Sequence, residues 1–343
     1  MTKKNNRRFN ISDIRKKNFF KTFIVAEIGI NHDGKISKCK RLINEACKAG
    51  ADAVKLQTIN PDESYFRNTS SYRAFENKDF SIEELIKIKK YAEKKKLIIF
   101  STPGDISSLN KIFKAGFRLV KISSGLCTNI PLIEEVSRKK IPMILSTGMT
   151  HLSEIKKSVE SVQKFKNVCV GILKCTSLYP APDKLINLNS MISLKKYFKI
   201  PVGLSDHSLD DLSSCASVAM GASIIEKHLT LNKKAKGADH KISLNPNEFK
   251  TMVKKIRRIE EILGSKKISP TKEEIKKKDN MQRYIFSLEN INVGQKINLK
   301  NISFKRSNFK KNNALKAEMF NKFKNYRIRK KIKKDTLIKT FHF

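Results

Sequence analysis

Short apolar runs alternate with longer amphipathic stretches along most of the chain. The first run, at residues 23–30, predicts a strand, and the stretch at 36–49, with its apolar residues on one helical face and Gly50 behind it, predicts a helix. Further strands are predicted at residues 53–58, 97–102, 119–124, 143–147, 168–176, 202–204 and 223–225. Further helices are predicted at residues 81–96, 108–115, 131–139, 151–165, 188–197, 210–220 and 245–263.

This alternation gives eight strand–helix units, and regular alternation implies parallel strands joined by crossover helices. Eight such units, in a length near the ~250 residues typical of these domains, predict a closed (β/α)8 TIM barrel. A doubly wound open sheet is the competing architecture. It is disfavoured because the chain reads GINHDG after the first strand, which is not the glycine-rich GxGxxG fingerprint.

The pattern changes after residue 264. Residues 265–280 are polar and charged, which predicts a linker between domains. Residues 281–343 hold shorter strand-like runs, which predict a small, mostly β domain; these runs lie at 284–288, 293–297 and 302–304. A domain of this size buries little surface alone, so we expect it to pack on the barrel or on another subunit. The barrel domain is thus predicted at 21–264, after a basic N-terminal extension at 1–20.

The charge balance invites a nucleic-acid hypothesis, since 72 Lys and Arg against 32 Asp and Glu give a net charge of +40. The basic residues are spread along nearly the whole chain, and no aromatic-interleaved basic stripe or zinc-finger spacing accompanies them. We therefore expect a solvated basic surface that attracts small anions, and no nucleic-acid partner.

Compartment and membrane signals are also absent from the sequence. No apolar run approaches the ~18 residues that a membrane span requires, and the first twenty residues lack the apolar segment of a secretion signal. The six cysteines form no CxxC pair, which favours a reducing compartment. The prediction is a cytoplasmic protein with no membrane association.

Polar side chains cluster where the predicted strands end. The carboxyl ends of barrel strands form the face on which such domains carry chemistry. The residues at these ends are Glu27, Lys55, Gln57, Thr102, Lys121, Ser124, Thr147, Lys174, Thr176, Ser205, His207, Glu226 and His228. Lys55 and Lys121 stand out, because an ionisable group inside an apolar run is costly unless it is paired or ligated. An ion pair inside the barrel with Glu27 or Glu226 is the alternative interpretation of each lysine.

These residue types indicate a particular chemistry. Two inward lysines with Ser and Thr hydroxyls suit a phosphate or a phosphate-plus-carboxylate anion. His207 and His228 follow successive strands, and two neutral imidazoles can bind a divalent ion that polarises a carbonyl oxygen. Each histidine alone could equally be a satisfied core residue. Glu27 could move a proton or orient water. The set fits a reaction that joins an anionic phosphorylated donor to a carbonyl compound.

Several motifs, in order on consecutive strands, resemble the sialic acid synthase family. They are AEIGINHDG (26–34), ADAVKLQT (51–58), FSTP (100–103), KISSG (121–125), LSTGM (145–149), LKCTSLYPAP (173–182), GLSDH (203–207) and EKHLT (226–230). FKRSNFK (304–310) is similar to part of the family's C-terminal antifreeze-like (SAF) domain. The resemblance implies a TIM barrel joined to an SAF domain in a domain-swapped homodimer. It also implies condensation of phosphoenolpyruvate with an N-acetylated hexosamine, N-acetylmannosamine in the best-known members, to a nine-carbon 2-keto sugar acid and phosphate.

The resemblance also implies roles for single residues. His207 and His228 would hold the metal, Mn²⁺ or else Mg²⁺ or Co²⁺, and Glu27 would act as an acid or base together with the catalytic lysines. Phosphoenolpyruvate would be bound by Lys55, Thr102, Lys121, Ser124, Ser177 and Ser205. The sugar would be bound by Gln57, Tyr179, Asp239 and Arg306, the last from the partner's SAF domain.

Three positions depart from the family pattern. Leu126 stands where members often carry an acidic residue, and Ser177 stands where they often carry Asn. Ser-Asn-Phe-Lys follows Arg306 in place of a Pro-Gly-rich loop. The segment 59–80, expected to help recognise the sugar, aligns poorly, which leaves N-acetylmannosamine and the di-N-acetylated precursors of legionaminic or pseudaminic acid as alternative acceptors. A barrel lyase or synthase that uses a sugar phosphate is a further alternative, and a nucleic-acid-binding protein with a degenerate barrel is the alternative from another class.

Overall fold

The computed structural model of the chain describes residues 21–237, 239–307 and 312–343. It divides into two compact units at the bond between Gly264 and Ser265. The predicted extension at residues 1–20 lies outside the described residues. Within the described ranges, no helix is both long enough and apolar enough to cross a bilayer.

The first unit is a closed barrel of eight parallel strands, in which each strand pairs with the next and the last pairs with the first. The predicted (β/α)8 barrel is confirmed, and the open sheet is wrong. The strands are β1 Phe23–Gly29, β2 Ala53–Thr58, β3 Ile98–Pro103, β4 Val120–Ile122, β5 Met143–Ser146, β6 Cys169–Cys175, β7 Val202–Asp206 and β8 Ile224–His228.

Helices surround the barrel and have the signals expected at their ends. Ser81 and Asn245 each form the capping box that their sequences indicate, with Glu84 and Glu248 as the partners. The helices of this unit are α1 Ile36–Ala49, α2 Pro61–Ser64, α3 Ser70–Phe75, α4 Ile82–Lys94, α5 Ile106–Lys114, α6 Ile130–Arg138, α7 Leu152–Lys164, α8 Asp183–Ile186, α9 Ser190–Phe198, α10 Leu212–Ala219 and α11 Pro246–Leu263.

The strands alternate between an inner face that lines the barrel and an outer face that packs on the helices. Apolar inner residues fill the amino-terminal part of the barrel; they are Phe23, Val25, Ala53, Phe100, Leu119, Ile144, Val170, Leu173 and Ile224. Two residues further along several of these strands, the inner face changes to charged and hydroxyl side chains. The polar layer at the carboxyl ends therefore lies on an apolar plug.

Two details of the first unit differ from the sequence-based expectation, which ended β8 at Ile225 and assigned no helix or strand to the segment 59–80. Strand β8 continues through Glu226 to His228, where the apolar run alone predicted an end at Ile225. It continues because Glu226 and His228 face the barrel interior, where other polar side chains meet them. The segment 59–80 was predicted to have no pattern but contains α2 and α3, whose amino ends are capped by the side chains of Asn60 and Thr69.

The second unit has a small antiparallel sheet of two strands, β9 Tyr284–Ser287 and β10 Ile302–Lys305. Its core is formed by Ile285, Ile291, Ile297, Ile302, Leu315, Ile328, Ile332 and Ile338. Its helices are α12 Lys272–Met281, within the stretch predicted as a linker, and α13 Phe320–Phe323. The strand predicted at 293–297 is wrong, because Gly294 turns the backbone at φ +86° and only isolated bridges flank it.

The close approach of β7 to β8 requires a glycine. A Cβ at Gly203 would lie 2.1 Å from the carbonyl oxygen of Ile224 on β8. We expect Gly203→Ala to lower the free energy of unfolding by about 1–3 kcal/mol, measured by urea denaturation, because backbone must move to admit the methyl group. Gly125→Ala is the matched control, since a Cβ there meets no described atom within 4 Å. Equal stability of the two variants would contradict this account of the strand contact.

Candidate active site

Two lysines and two glutamates form a buried ion cluster on the inner face of the barrel. Lys121 Nζ lies 2.8 and 3.0 Å from the two carboxylate oxygens of Glu226. Lys55 is paired with Glu27, and its Nζ is 3.8 Å from Glu226 Oε1. All four side chains are at most 5% exposed. The ion pairs offered as the alternative interpretation of the lysines are therefore present, and they lie together with the other polar groups of this face.

The strand register explains why these four residues meet. Glu27 is the neighbour of Lys55 on one side and of His228 on the other, in the β1–β2 and β1–β8 pairings. Glu226 is the neighbour of Ser205 in the β7–β8 pairing. Because all strands are parallel, residues at the same height on the inner face form a ring around the barrel axis.

Hydroxyl groups complete the ring. Lys55 Nζ donates to Thr102 Oγ1 at 3.2 Å, and Ser205 Oγ donates to Glu226 Oε1 at 3.0 Å. Ser124 Oγ accepts from the amide of Gly148 at 3.0 Å. A Cβ at Gly148 would come within 2.1 Å of Ser177 Oγ and 2.7 Å of Ser124 Oγ. The absence of a side chain at this glycine thus lets two serine hydroxyls approach each other at the barrel rim.

For both Lys55 and Glu226, burial and the neighbouring charges shift the pKa in opposite directions. Burial lowers the pKa of Lys55 to about 8, and Glu226 opposes this change. Burial alone would raise the pKa of Glu226, but the charges of Lys121 and Lys55 hold it well below its usual range. Glu226 is therefore a fixed negative charge near neutral pH, whereas Lys55 can exchange a proton there.

The two histidines face each other beside this cluster, with ring centroids 5.5 Å apart. His207 Nδ1 lies 2.9 Å from the carbonyl oxygen of Thr176, an acceptor only, so this nitrogen carries the hydrogen and Nε2 has the free lone pair. His228 Nδ1 is buried without a hydrogen-bond partner among the described residues and is 3.6 Å from Asp239 Oδ2. Burial and the nearby charges of His207 and Lys55 hold the pKa of His228 well below its usual value.

This geometry fits a divalent ion with two nitrogen ligands. An unpartnered buried imidazole nitrogen and a second imidazole with a free lone pair are the donors such an ion requires. Among the residues that the structure describes, no three His, Cys, Asp or Glu side chains form a complete metal cage. The remaining ligands of an ion at this place would come from water or a substrate oxygen.

The residues assigned to the sugar by resemblance fall into two groups. Tyr179 stacks on the ring of His207 at 4.2 Å. Gln57 and Asp239 converge with Glu27 around Gly29, where a Cβ would lie 2.8 to 3.3 Å from their polar atoms. Arg306 follows β10 in the second unit and is exposed, so its place in the sugar site stays a prediction. Part of the segment after it, residues 308–311, lies outside the described residues.

Sequence reasoning overlooked Cys175 and misplaced Lys174. The thiol of Cys175 is buried 3.7 Å from His207 Nδ1. Its pKa falls to about 6: burial opposes this, but His207, Ser124 and Lys121 favour the thiolate. Lys174 lies on the outer face, where its Nζ donates to the carbonyl oxygen of Cys175 at 2.8 Å. Strict alternation from the apolar Leu173 would have placed Cys175 inside and Lys174 outside.

Tyr65 is a second overlooked residue, on the segment between β2 and α4. It directly follows α2 and stacks on Phe75 at 5.5 Å. Burial, followed by the charges of Asp105 and Asp239, raises its pKa. Neither a hydrophobic periodicity nor a sequence motif in this polar segment identifies Tyr65 as a candidate site residue.

Comparisons with known proteins relate the chain to one family of enzymes. The NeuB family model matches residues 42–268. An N,N'-diacetyllegionaminic acid synthase of Campylobacter jejuni is 32% identical over 335 residues, which cover 93% of this chain and 99% of that protein. A pseudaminic acid synthase of the same species is 32% identical over 306 residues, which cover 84% and 88%. The crystal structure of an N-acetylneuraminic acid (sialic acid) synthetase from Leptospira borgpetersenii matches with a TM-score of 0.72 and 34% identity, over 75% of this chain and 90% of that one.

Removing the central carboxylate should destabilise the protein by leaving buried lysines unpaired. We expect Glu226→Gln to lower the free energy of unfolding by about 3–5 kcal/mol in urea denaturation. Inorganic phosphate should stabilise this variant more than it stabilises the wild type, because the anion replaces the lost negative charge. Glu93→Gln, which breaks a partly exposed pair with Lys89 (2.8 Å), should cost under about 0.5 kcal/mol. Equal losses in the two variants would show that the cluster does not depend on Glu226.

Proposed function

The chain belongs to the NeuB family, whose members include sugar-acid synthases, and we propose that it condenses phosphoenolpyruvate with an N-acetylated amino sugar. The products are a nine-carbon 2-keto sugar acid and inorganic phosphate. The observation that carries the proposal is the ring of Lys55, Lys121 and hydroxyl groups beside two facing imidazoles, buried at the carboxyl ends of the barrel strands.

Phosphoenolpyruvate suits the lysine side of the site. The donor has a phosphate and a carboxylate, and Lys55 and Lys121 provide two buried cations for them. Thr102, Ser124, Ser177 and Ser205 line the same ring and offer hydroxyl donors to the anion's oxygens. Glu27 and Glu226 neutralise the lysines in the free protein, so the donor would bind by displacing part of this internal pairing.

A divalent ion, Mn²⁺ or else Mg²⁺ or Co²⁺, would be held by His207 and His228. When bound, it would polarise the aldehyde oxygen of the open-chain sugar as a Lewis acid. An ion between the two imidazoles would hold the acceptor next to the donor, since Glu27 is the strand neighbour of both Lys55 and His228.

The reaction balances with protons moved by this chain's own groups. C3 of phosphoenolpyruvate forms a bond to the aldehyde carbon, whose oxygen takes up a proton. Water adds at C2 and loses one proton, and the C2–O bond to phosphate then breaks. The new C2 hydroxyl gives its remaining proton to the departing phosphate, which leaves the keto group. Glu27 can accept the proton of the water, and Lys55, with its pKa near 8, can donate one to an oxygen.

The acceptor is N-acetylmannosamine or a di-acetamido-trideoxyhexose. Resemblance to the best-known members favours the first, and the solved sialic acid synthetase at 34% identity supports it. The second is favoured by the legionaminic acid synthase that aligns over 93% of this chain. Gln57, Tyr179 and Asp239 would bind the sugar beside the ion, and Tyr179, stacked on His207, would contact it directly.

The proposal extends to assembly and compartment. Arg306 would contact the N-acetyl group from the second copy of a domain-swapped homodimer, with the second unit serving as an SAF domain. The six cysteines are scattered along the sequence and form no CxxC pair, which supports a reducing cytoplasmic compartment.

A panel of acceptors tests the reaction itself. We expect purified protein with Mn²⁺ to release phosphate from phosphoenolpyruvate only when an amino sugar is present. The panel contains N-acetylmannosamine, its 6-phosphate and the two di-acetamido-trideoxyhexoses, and phosphate is measured by a coupled colour assay. The preferred sugar should give a kcat/KM at least tenfold above the others. Release without any sugar, or no release with every sugar, would contradict the proposal.

The low pKa of Lys55 predicts a pH dependence of donor binding. Below about pH 8 the ammonium is charged, and above it the charge is lost, so kcat/KM for phosphoenolpyruvate should fall up to tenfold per pH unit as the pH rises past 8. Lys55→Arg keeps its charge and should abolish this fall between pH 8 and 9.5, whatever its maximal rate. Lys164→Arg, on an exposed helix position, is the control and should follow the wild type. An unchanged inflection in Lys55→Arg would assign it to another group.

A further inference from the structure

A buried ion pair lies on the outer face of the barrel directly behind the two histidines. Asp206 precedes His207 at the end of β7, and Lys227 precedes His228 at the end of β8. Asp206 and Lys227 are strand neighbours, with Lys227 Nζ 3.0 Å from Asp206 Oδ2. Both side chains are at most 1% exposed. Because side chains alternate along a strand, Asp206 and Lys227 point away from the histidines that directly follow them in the sequence.

Serines surround the carboxylate of the pair. Ser213 and Ser214 donate their hydroxyls to Asp206 Oδ2 at 2.8 and 2.6 Å, and the amide of Ser208 donates to Oδ1 at 2.9 Å. Lys227 Nζ donates in turn to the carbonyl oxygen of Ser208 at 2.7 Å and to its hydroxyl at 3.1 Å. The network therefore joins the ends of β7 and β8, the loop after His207 and the first turn of α10.

The energetics of such a pair indicate a geometric role. Desolvation of two buried charges offsets much of their attraction, so apolar residues of similar volume would give comparable stability at this place. Ionic hydrogen bonds differ from apolar contacts in being directional. A fully bonded carboxylate and ammonium fix the relative position of two strand ends more narrowly than packing does.

We propose that the Asp206–Lys227 pair is a positioning device that holds His207 and His228 at the separation one divalent ion requires. This inference rests on the metal site of the proposed function. Two imidazole nitrogens can share one ion only within a narrow range of separations and orientations. Since each histidine adjoins one partner of the ion pair, a shift of either strand end moves one imidazole relative to the other.

Manganese affinity separates this role from general stability. Metal-free protein is titrated with Mn²⁺ alone, and free Mn²⁺ is followed by electron paramagnetic resonance. We expect Lys227→Met to weaken binding by on the order of 10-fold or more, as for other groups that orient metal ligands. Asp206→Asn can keep the hydroxyl hydrogen bonds of Ser213 and Ser214 on its one carbonyl oxygen, but it loses the charge and the acceptor of the Ser208 amide. It should weaken binding by a smaller factor.

Asp52→Asn is the matched control. Asp52 makes a similar pair with Arg257 at 2.5 Å and accepts from the amide of Ile24 at 3.0 Å, but it lies at the amino end of β2, the opposite end of the barrel. This variant should lose stability in urea denaturation and keep the wild-type affinity for Mn²⁺. If Lys227→Met does not fold, Asp206→Asn and the control decide the question.

The outcomes distinguish this inference from the metal assignment. Wild-type protein that does not bind Mn²⁺, or a His207→Ala variant that binds it like the wild type, overturns both. Wild-type affinity that is lost in His207→Ala but unchanged in Lys227→Met and Asp206→Asn overturns the positioning role alone. Equal weakening in Asp52→Asn also overturns it, because loss of stability would then account for the effect.

Discussion

The charged ring inside the barrel depends on mutual neutralisation of buried lysines and glutamates. Lys121 and Lys55 are tolerable at this depth because Glu226 and Glu27 lie against them. The same pairing leaves the ring close to neutral as a whole. An anionic ligand therefore meets cations that are already positioned, and binding exchanges one partner of each lysine for another without large movement of the side chains.

At the carboxyl ends of β7 and β8, the inner and outer faces of the barrel wall carry different sets of polar side chains. Along β7 and β8, the inward positions carry Ser205, His207, Glu226 and His228, and the outward positions carry Asp206 and Lys227. The inner set holds the two imidazoles and part of the ion cluster, and the outer set joins the strand ends to the helix layer. Two strands that each end in three polar residues would be unstable alone. They are stable here because each face meets complementary groups from neighbouring strands or from α10.

Most of the barrel could be predicted from the sequence because apolar runs bounded by glycine and capping residues mark strands and helices locally. The errors of the sequence-based prediction have physical causes. The end of β8 was placed too early because Glu226 and His228 are polar, and only the tertiary partners show that they continue a strand. Lys174 and Cys175 were confused because position along the strand was used without its alternation. The assignment of Arg306 depends on a second copy of the chain, which no pattern along one sequence can place.

The apolar plug beneath the ring, built from residues such as Phe100, Ile144 and Leu173, closes the barrel at one end. The two lysines, at most 5% exposed, lie deeper in the barrel than Tyr179, which is half exposed at the rim. In the proposed reaction this depth imposes a sequence of events: the enol phosphate enters first and the sugar follows and covers it. The nine-carbon acid then has to depart before the phosphate behind it can escape, which is the kinetic signature of an ordered mechanism.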